Sequence, residues 1–301
     1  MRLVSIMRLT KILIFGALMA LYADHATAQT AEVEMDVFSA IKAEDKVAVV
    51  AVHYGSTDPV ERQNMEKVNA MVRSAFPDYA FRETWMSERL VKEASADCST
   101  PDNLLYQLAD AGFTHVIIQP SLLIDGVEMQ CLVSLAEQYK SRFKHIRIGK
   151  PLLSDIEDYD AVVNAIAVPS PVAKEAHVLV CSNTFNKENG SFTMLDYALR
   201  KKHSEGWYTA VDEGCPSFEF LVKQLRGQKL KKVNLFPFMF GSSKSALDKL
   251  SSILKKEGFH VQVVPTNMGD KQEVMKLYNE HLHHATKFRN YSPREMMMQV
   301  K

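Results

Sequence analysis

Short apolar runs of strand length alternate with amphipathic stretches of helix length, and this order occurs twice along the chain. In the first half, Lys46–His53 and His115–Gln119 have the length and apolar character of buried strands, and in the second half His177–Cys181 and Lys232–Phe240 do. Strands that are separated by helices pair in parallel through right-handed crossovers. The sequence therefore predicts an α/β protein of two similar doubly wound parallel-sheet lobes, with a cleft between them and ligands at the carboxyl ends of the strands.

The limits of the two lobes follow from a proline-containing stretch near the middle of the chain. Residues 164–176 read NAIAVPSPVAKEA, which is typical of a connector. We predict an N-terminal lobe over residues 29–165, a C-terminal lobe over residues 166–290 and a loose tail over residues 291–301.

The first 28 residues have the three parts of a secretory signal peptide. Basic residues precede the uncharged run Ile12–Ala23, and Ala26-Thr27-Ala28 supplies the small-x-small pattern of a cleavage site. A run of this length is shorter than the roughly 20 residues that cross a bilayer as a helix. We therefore expect an exported protein that is periplasmic or associated with the cell envelope. The alternatives are a retained N-terminal anchor and a start at Met7.

Charge and cysteine content narrow the classes of partner. The chain has 36 basic and 36 acidic residues and no basic tract, which argues against nucleic acid as a partner. The four cysteines fit no zinc-binding spacing and could form disulfides in three ways, which the sequence leaves open. They are Cys98, Cys131, Cys181 and Cys215.

Side chains with binding chemistry follow several of the predicted strands. His53 ends the first predicted strand and Tyr54 follows it, and Ser182 follows the first predicted strand of the second half. The last long strand ends in an apolar stretch that would suit a flat, apolar ligand such as a tetrapyrrole. This stretch contains Phe236, Phe238, Met239 and Phe240. Carboxylates follow two further strands, in the segments Asp125–Glu128 and Asp212–Pro216.

Five segments carry a family resemblance that covers about residues 46–285. They read YGSTDPVERQNMEKV, FPDYAFRETWMSERLVKE, TPDNLLYQLADAGFTHVIIQPSLLIDGVEM, GKPLLSDIEDYDAV and EGCPSFEFLVKQL. In order and spacing they resemble the CbiK-type anaerobic sirohydrochlorin cobaltochelatases. The resemblance implies a chelatase-like fold, a tetrapyrrole as ligand and a divalent metal, cobalt or iron, where the protein is catalytic.

The chain departs from that family at both expected metal-site histidines. Ser182 stands where the resemblance implies the first histidine, and Ser245 or a neighbour where it implies the second. The family's glutamates are kept as Glu213 and Glu128. Chelation needs a ligand for the ion and a base for two pyrrole protons, and serine is a poor ligand for cobalt or iron at neutral pH.

Loss of the histidines beside a retained apolar cleft favours binding over catalysis. We expect an exported chelatase-like protein that binds haem or another tetrapyrrole in haem and iron acquisition, with an outer-membrane haem receptor or transport system as a partner. An axial ligand would come from His, Met, Tyr or Cys. His53 and Tyr54 are the first candidates, followed by Met239 and Met129, and His53 with Glu213 would form a shifted metal site.

Other functions stay open at this point. The alternative is an enzyme, either a sirohydrochlorin cobaltochelatase of anaerobic cobalamin biosynthesis or a haem dechelatase, with Glu213 and Glu128 as catalytic residues. A periplasmic binding protein for another ligand is a third reading of two lobes about a cleft. The oligomeric state is not determined by the sequence, and a homo-oligomer is compatible with it. His281 and His284 lie three residues apart on the last helix, where a solvated helix end competes with a metal site.

Overall fold

The computed structural model describes residues 36, 41–94, 98–166, 175–182, 190–203, 206–238, 240, 243–265 and 268–287. The predicted signal peptide, the predicted tail, most of the connector and Met239 lie outside these residues. No helix within the described part of the chain is long and apolar enough to cross a membrane.

Each lobe is a four-stranded parallel sheet with helices between its strands. The N-terminal lobe contains, in chain order, β1 Val47–His53, α1 Pro59–Ala75, β2 Ala80–Trp85, α2 Glu88–Glu93, α3 Pro101–Asp110, β3 His115–Pro120, α4 Val127–Tyr139, β4 His145–Ile148 and α5 Ile156–Ala165. The C-terminal lobe contains β5 Glu175–Ser182, α6 Ser191–His203, β6 Trp207–Asp212, α7 Phe218–Gly227, β7 Lys232–Pro237, α8 Ser243–Lys256, β8 His260–Val263 and α9 Gln272–Lys287.

The strand orders of the two sheets are the same, β2-β1-β3-β4 and β6-β5-β7-β8. All pairs within them are parallel. The central strands are buried on both faces, as the near-continuous apolar runs in the sequence require. The predicted fold class, two similar doubly wound α/β lobes, is confirmed.

Local signals in the sequence determine where the helices begin. Asp58 caps α1, accepting hydrogen bonds from the backbone N–H groups of Val60 and Glu61, and Pro59 occupies the first helical position. Thr100 and Ser217 cap α3 and α7 in the same way. Because these helices follow strands of a parallel sheet, their first turns lie on the side of the sheet where the strands end.

Among the described residues, one hydrophobic core cluster contains side chains of both lobes. It contains residues of β1, α5, β5 and α6, together with the buried face of α9. Although α9 follows the last strand of the C-terminal lobe, it packs against α1, β3, β4 and α5 of the N-terminal lobe. The chain therefore returns to its first lobe after completing the second. The lobe limits drawn from the sequence stay a prediction, and they assign this helix by chain order alone.

Candidate functional site

Exposed apolar side chains mark the edge of each sheet at which its strands end. Val60, Val127 and Ile156 lie in the first turns of α1, α4 and α5, the helices that follow β1, β3 and β4. Phe220 has the same position in α7, after β6. Exposed apolar surface around a cleft is the surface expected for contact with a flat apolar ligand.

His53, the last residue of β1, is fully buried among polar partners. Its Nδ1 atom lies 2.7 Å from Ser121 Oγ, and its Nε2 atom lies 2.9 Å from Asn69 Oδ1. Asn69 Nδ2 donates to Glu66 and Glu83, at 3.0 Å and 2.8 Å. Because carboxylates only accept, the amide oxygen of Asn69 must face the ring. Nε2 therefore carries the proton, and Nδ1 accepts the hydroxyl hydrogen of Ser121.

This arrangement leaves neither nitrogen of His53 open to a metal or a haem iron. Burial lowers the pKa of His53, against the hydrogen bond that its ring donates to Asn69 and the charges of Glu83 and Glu66. The ring is therefore neutral at neutral pH and holds the ends of β1 and β3 to α1. Its predicted role as a ligand stays untested, and it would require the ring to leave these partners.

The other candidate ligands of the N-terminal lobe occupy different surroundings. Tyr54 is partly buried and packs against the small cluster of Met65, Trp85 and Leu90. Met129 is fully buried in the core between the sheet and α3 and α4. A thioether in that position is a packing group in this structure.

The predicted apolar wall of the C-terminal lobe belongs to the shared core. Phe238 is 0% exposed and Phe240 is 5% exposed. Phe240 meets the ring of Tyr278 edge-on, with 5.4 Å between the ring centroids. Met239, between the two, lies outside the described residues. The apolar surface open to a ligand is thus supplied by the starts of helices more than by this strand.

Ser182 and two carboxylates meet where the C-terminal sheet ends. Ser182, the last residue of β5, lies directly opposite Asp212, the last residue of β6. Glu213 follows in an exposed turn with a φ of 55°. This turn closes through a hydrogen bond of 2.8 Å from the backbone N–H of Val211 to the carbonyl of Pro216. Ser182 therefore occupies the strand position next to Asp212, one residue before Glu213.

Lys249 of α8 partly balances this acidic pair. Its Nζ atom lies 2.5 Å from Asp212 Oδ1. The hydrogen bond to Asp212 raises the pKa of Lys249, to which the charges of Glu213 and Glu219 add. Three carboxylates thus lie near Lys249, and Lys223 adds a second positive charge near Glu219, so the patch carries three negative and two positive charges. Such a patch attracts a divalent cation.

The remaining predicted site residues are dispersed. Ser245 is exposed near the start of α8, and Glu128 is partly exposed in the first turn of α4. His281 lies 3.3 Å from Asp158 Oδ1 and is buried, and burial lowers the pKa of His284 to about 4. Among the residues that the structure describes, no group of three or more His, Cys, Asp or Glu side chains is arranged to hold a metal ion.

All four cysteines are free thiols, so the three disulfide pairings that the sequence left open are not formed. Cys131 and Cys215 are exposed, one in each lobe, and Cys181 is buried in the shared core. Burial raises the pKa of Cys98 to about 11, with help from the charge of Glu83.

Sequence reasoning did not identify Asn69, Glu83, Ser121 or Tyr278. Ser121 and Tyr278 act across the fold, on partners 68 and 157 residues away in the chain. No local pattern marks such residues. The pairing of Asp212 with Lys249 could be predicted only in part. The sequence indicates the acidic turn, but it does not indicate which lysine pairs with it.

Two parallel sheets of equal strand order, joined by a shared core and carrying polar groups where their strands end, make this a two-lobed doubly wound α/β protein. The family model for cobalt chelatase (CbiK) matches residues 47–287, so the chain belongs to this family. The sirohydrochlorin cobaltochelatase of Salmonella typhimurium is 24% identical over 256 residues, which cover 80% of this chain and 96% of that protein. The family resemblance seen in the sequence is confirmed.

Solved structures support the fold. SirB from Bacillus subtilis, solved with Fe3+, superposes with a TM-score of 0.54 and 15% identity over 80% of this chain and 96% of that one. CbiX, described as the terminal enzyme of sirohaem biosynthesis in denitrifying bacteria, gives a TM-score of 0.50 and 17% identity over 80% and 99%. At these identities the likeness concerns the fold.

Proposed function

We propose that the protein binds a tetrapyrrole in its cleft and inserts a divalent metal, such as cobalt, into a sirohydrochlorin-type ring. The observation that carries this proposal is the match to the cobalt chelatase family from the first strand to the last helix. The exposed apolar residues at the helix starts of both lobes supply contact surface for such a ring.

The acidic turn after β6 is the part of the proposed site that can supply a base for metal insertion. Metal insertion replaces two pyrrole N–H protons, so it needs a base near the ring. Glu213 is exposed, whereas Asp212 is held by Lys249, which leaves Glu213 as the proposed proton acceptor. The negative patch would concentrate the divalent substrate ion, while Ser182 and Ser245 contribute little to its binding because hydroxyl groups are weak ligands.

Absorbance spectroscopy tests this function directly. Incubation with sirohydrochlorin and Co2+ is expected to produce the spectrum of cobalt-sirohydrochlorin faster than the uncatalysed reaction. Glu213→Gln should lower the rate by a factor on the order of 100 or more, since it removes the base. Glu219→Gln, which changes a carboxylate of the same patch on α7, is the comparison variant: it removes one charge of the patch and leaves the base, so it should lower the rate far less. A wild-type rate equal to the uncatalysed rate would contradict the proposal.

A second function, the binding of haem without metal insertion, is favoured by one specific observation. Serines stand at both positions where the family resemblance implies metal-site histidines, and a carrier of an already metallated ring has no need of them. In this proposal the protein is exported through residues 1–28 and receives haem from an outer-membrane receptor.

Titration with haem separates the two functions. A carrier is expected to shift the Soret band at one equivalent of haem and to give no cobalt-sirohydrochlorin. Export is checked by locating the protein in periplasmic and cytoplasmic fractions of cells that express the full chain. A cytoplasmic protein without a Soret shift would contradict the carrier.

A further inference from the structure

Tyr278 of α9 contacts the strand-end loop of the N-terminal lobe. Its ring is fully buried in the shared core. Its hydroxyl lies 3.1 Å from the carbonyl oxygen of Ser121 and 3.0 Å from that of Leu122, so its one proton is shared between two acceptors. These are the first two carbonyl groups after β3. Ser121 is itself held by His53, which fixes the position of the loop.

The same tyrosine contacts the C-terminal lobe at the equivalent place. Its ring meets Phe240 edge-on, at 5.4 Å between centroids and an interplanar angle of 83°, a favourable geometry for aromatic pairs. Phe240 lies three residues beyond the end of β7. One side chain therefore touches loops of both lobes on the side where ligands of this fold class bind.

The helix that carries Tyr278 is anchored on the N-terminal lobe. Just before it, the short 3-10 helix Met268–Asp270 packs on α1. There the backbone N–H of Gly269 donates to Asn64 at 3.2 Å, and Lys67 pairs with Asp270 at 3.2 Å. A Cβ atom on Gly269 would lie 2.9 Å from Lys67 Cβ, so the approach is as close as a glycine permits. The helix therefore follows the N-terminal lobe, whereas Phe240 follows the C-terminal lobe.

We propose that Tyr278 is a positioning residue that fixes the spacing between the strand-end loops of the two lobes and so determines the width of the cleft. The hydroxyl holds the loop after β3, and the ring holds Phe240. The effect on the spacing between the two loops is argued only from the contacts of Tyr278 and does not depend on the proposed function. Its consequence for ligand binding rests on the proposed tetrapyrrole function.

Two native cysteines allow the spacing to be measured without a ligand. Cys131 on α4 and Cys215 after β6 are exposed, one in each lobe. Spin labels on both, in a Cys98→Ser background that removes the partly exposed third thiol, report the distance between lobes by double electron–electron resonance. Tyr278→Phe keeps the ring and removes the hydroxyl, and it is expected to broaden or shift the distance distribution. Tyr197→Phe, at an exposed tyrosine of α6, is the matched control and should leave the distribution unchanged.

A distribution for Tyr278→Phe that superposes on that of the wild type would overturn the proposal. Near-ultraviolet circular dichroism shows whether each variant retains its packed core. If Tyr278→Phe does not fold, Phe240→Leu serves instead, because it keeps an apolar group and removes the edge-on contact. This variant is expected to broaden the distribution, and an unchanged distribution would overturn the proposal equally.

Titration with sirohydrochlorin tests the consequence for the cleft. Tyr278→Phe is expected to raise the Kd by roughly fivefold, the effect of losing one hydrogen bond of about 1 kcal/mol. An altered spacing with an unchanged Kd would contradict a role in cleft width. If the wild type binds neither sirohydrochlorin nor haem, the proposed function fails, and the spin-label distances alone decide whether Tyr278 fixes the spacing.

Discussion

Because His53 is buried in the folded protein, its pKa differs between the folded and the unfolded state. The ring has no exposed surface, and removal from water lowers its pKa below the ordinary value of 6.5, against the opposing effects of Asn69, Glu83 and Glu66. In the unfolded chain the ring binds a proton near pH 6.5, whereas in the folded protein it does so only at lower pH. The stabilisation from the neutral ring is therefore present above pH 6.5 and is lost as the pH falls below it.

The first prediction concerns replacement of this ring. His53→Gln should lower the free energy of unfolding at pH 7.5 by about 1–3 kcal/mol, because Ser121 and Asn69 lose a partner while remaining buried. The difference between wild type and variant should shrink at pH 5, and urea unfolding at both values measures it. His260→Gln, on the exposed edge of β8, should differ little from the wild type at either pH. An equal difference at both pH values would show that the ring is not buried in neutral form.

At the scale of elements, the sequence predicts well wherever a signal is local. The pair Asp58-Pro59 predicts a helix start, and α1 begins at Pro59, because a capping side chain and a proline act on the adjacent turn. The strand predicted over Lys232–Phe240 instead ends at Pro237. Its apolar run continues into residues that pack in the shared core, and composition alone does not separate a buried strand from the buried chain after it.

The second prediction concerns the cap of α1. Asp58→Ala should destabilise the protein by about 1 kcal/mol, since Asp58 Oδ1 accepts hydrogen bonds of 2.9 Å and 3.1 Å from the first turn. Thr100→Ala is the matched change at α3, where the capping bond is 3.4 Å long, and its effect should be smaller. Thermal unfolding followed by circular dichroism compares the two variants. A larger loss of stability for Thr100→Ala than for Asp58→Ala would contradict the prediction that Asp58 is the stronger cap.

At the scale of the whole molecule, the sequence predicts the two lobes and fails to predict how they join. The repeated order of strands and helices determines both sheets. The site depends on contacts that link distant segments, such as Ser121 with His53 and Tyr278. For this reason His53 looked like a ligand in the sequence, whereas its partners occupy both nitrogens in the structure. Chain order likewise gave no sign that α9 packs on the first lobe.

The last prediction follows from this return of the chain. The buried face of α9 fills the core that both lobes share, with Val274, Leu277, Tyr278 and Leu282 among its residues. Neither lobe has a complete core of its own on this side, so the two should unfold together in one cooperative transition despite the internal repeat. Calorimetry of residues 29–301 should show a single peak, with equal calorimetric and van't Hoff enthalpies.

Truncation after Asp270 provides the complementary test. Removal of α9 exposes apolar surface of both lobes at once, and the truncated chain should lose its cooperative transition and its near-ultraviolet circular dichroism. Truncation after residue 287, which keeps all of α9, is the matched control and should retain both. Two separate transitions in the longer chain, or a folded C-terminal lobe in the shorter one, would mean that the lobes are stable independently. The cleft would then be formed by docking of two preformed domains, and the helix that returns to the first lobe would serve only to hold them together.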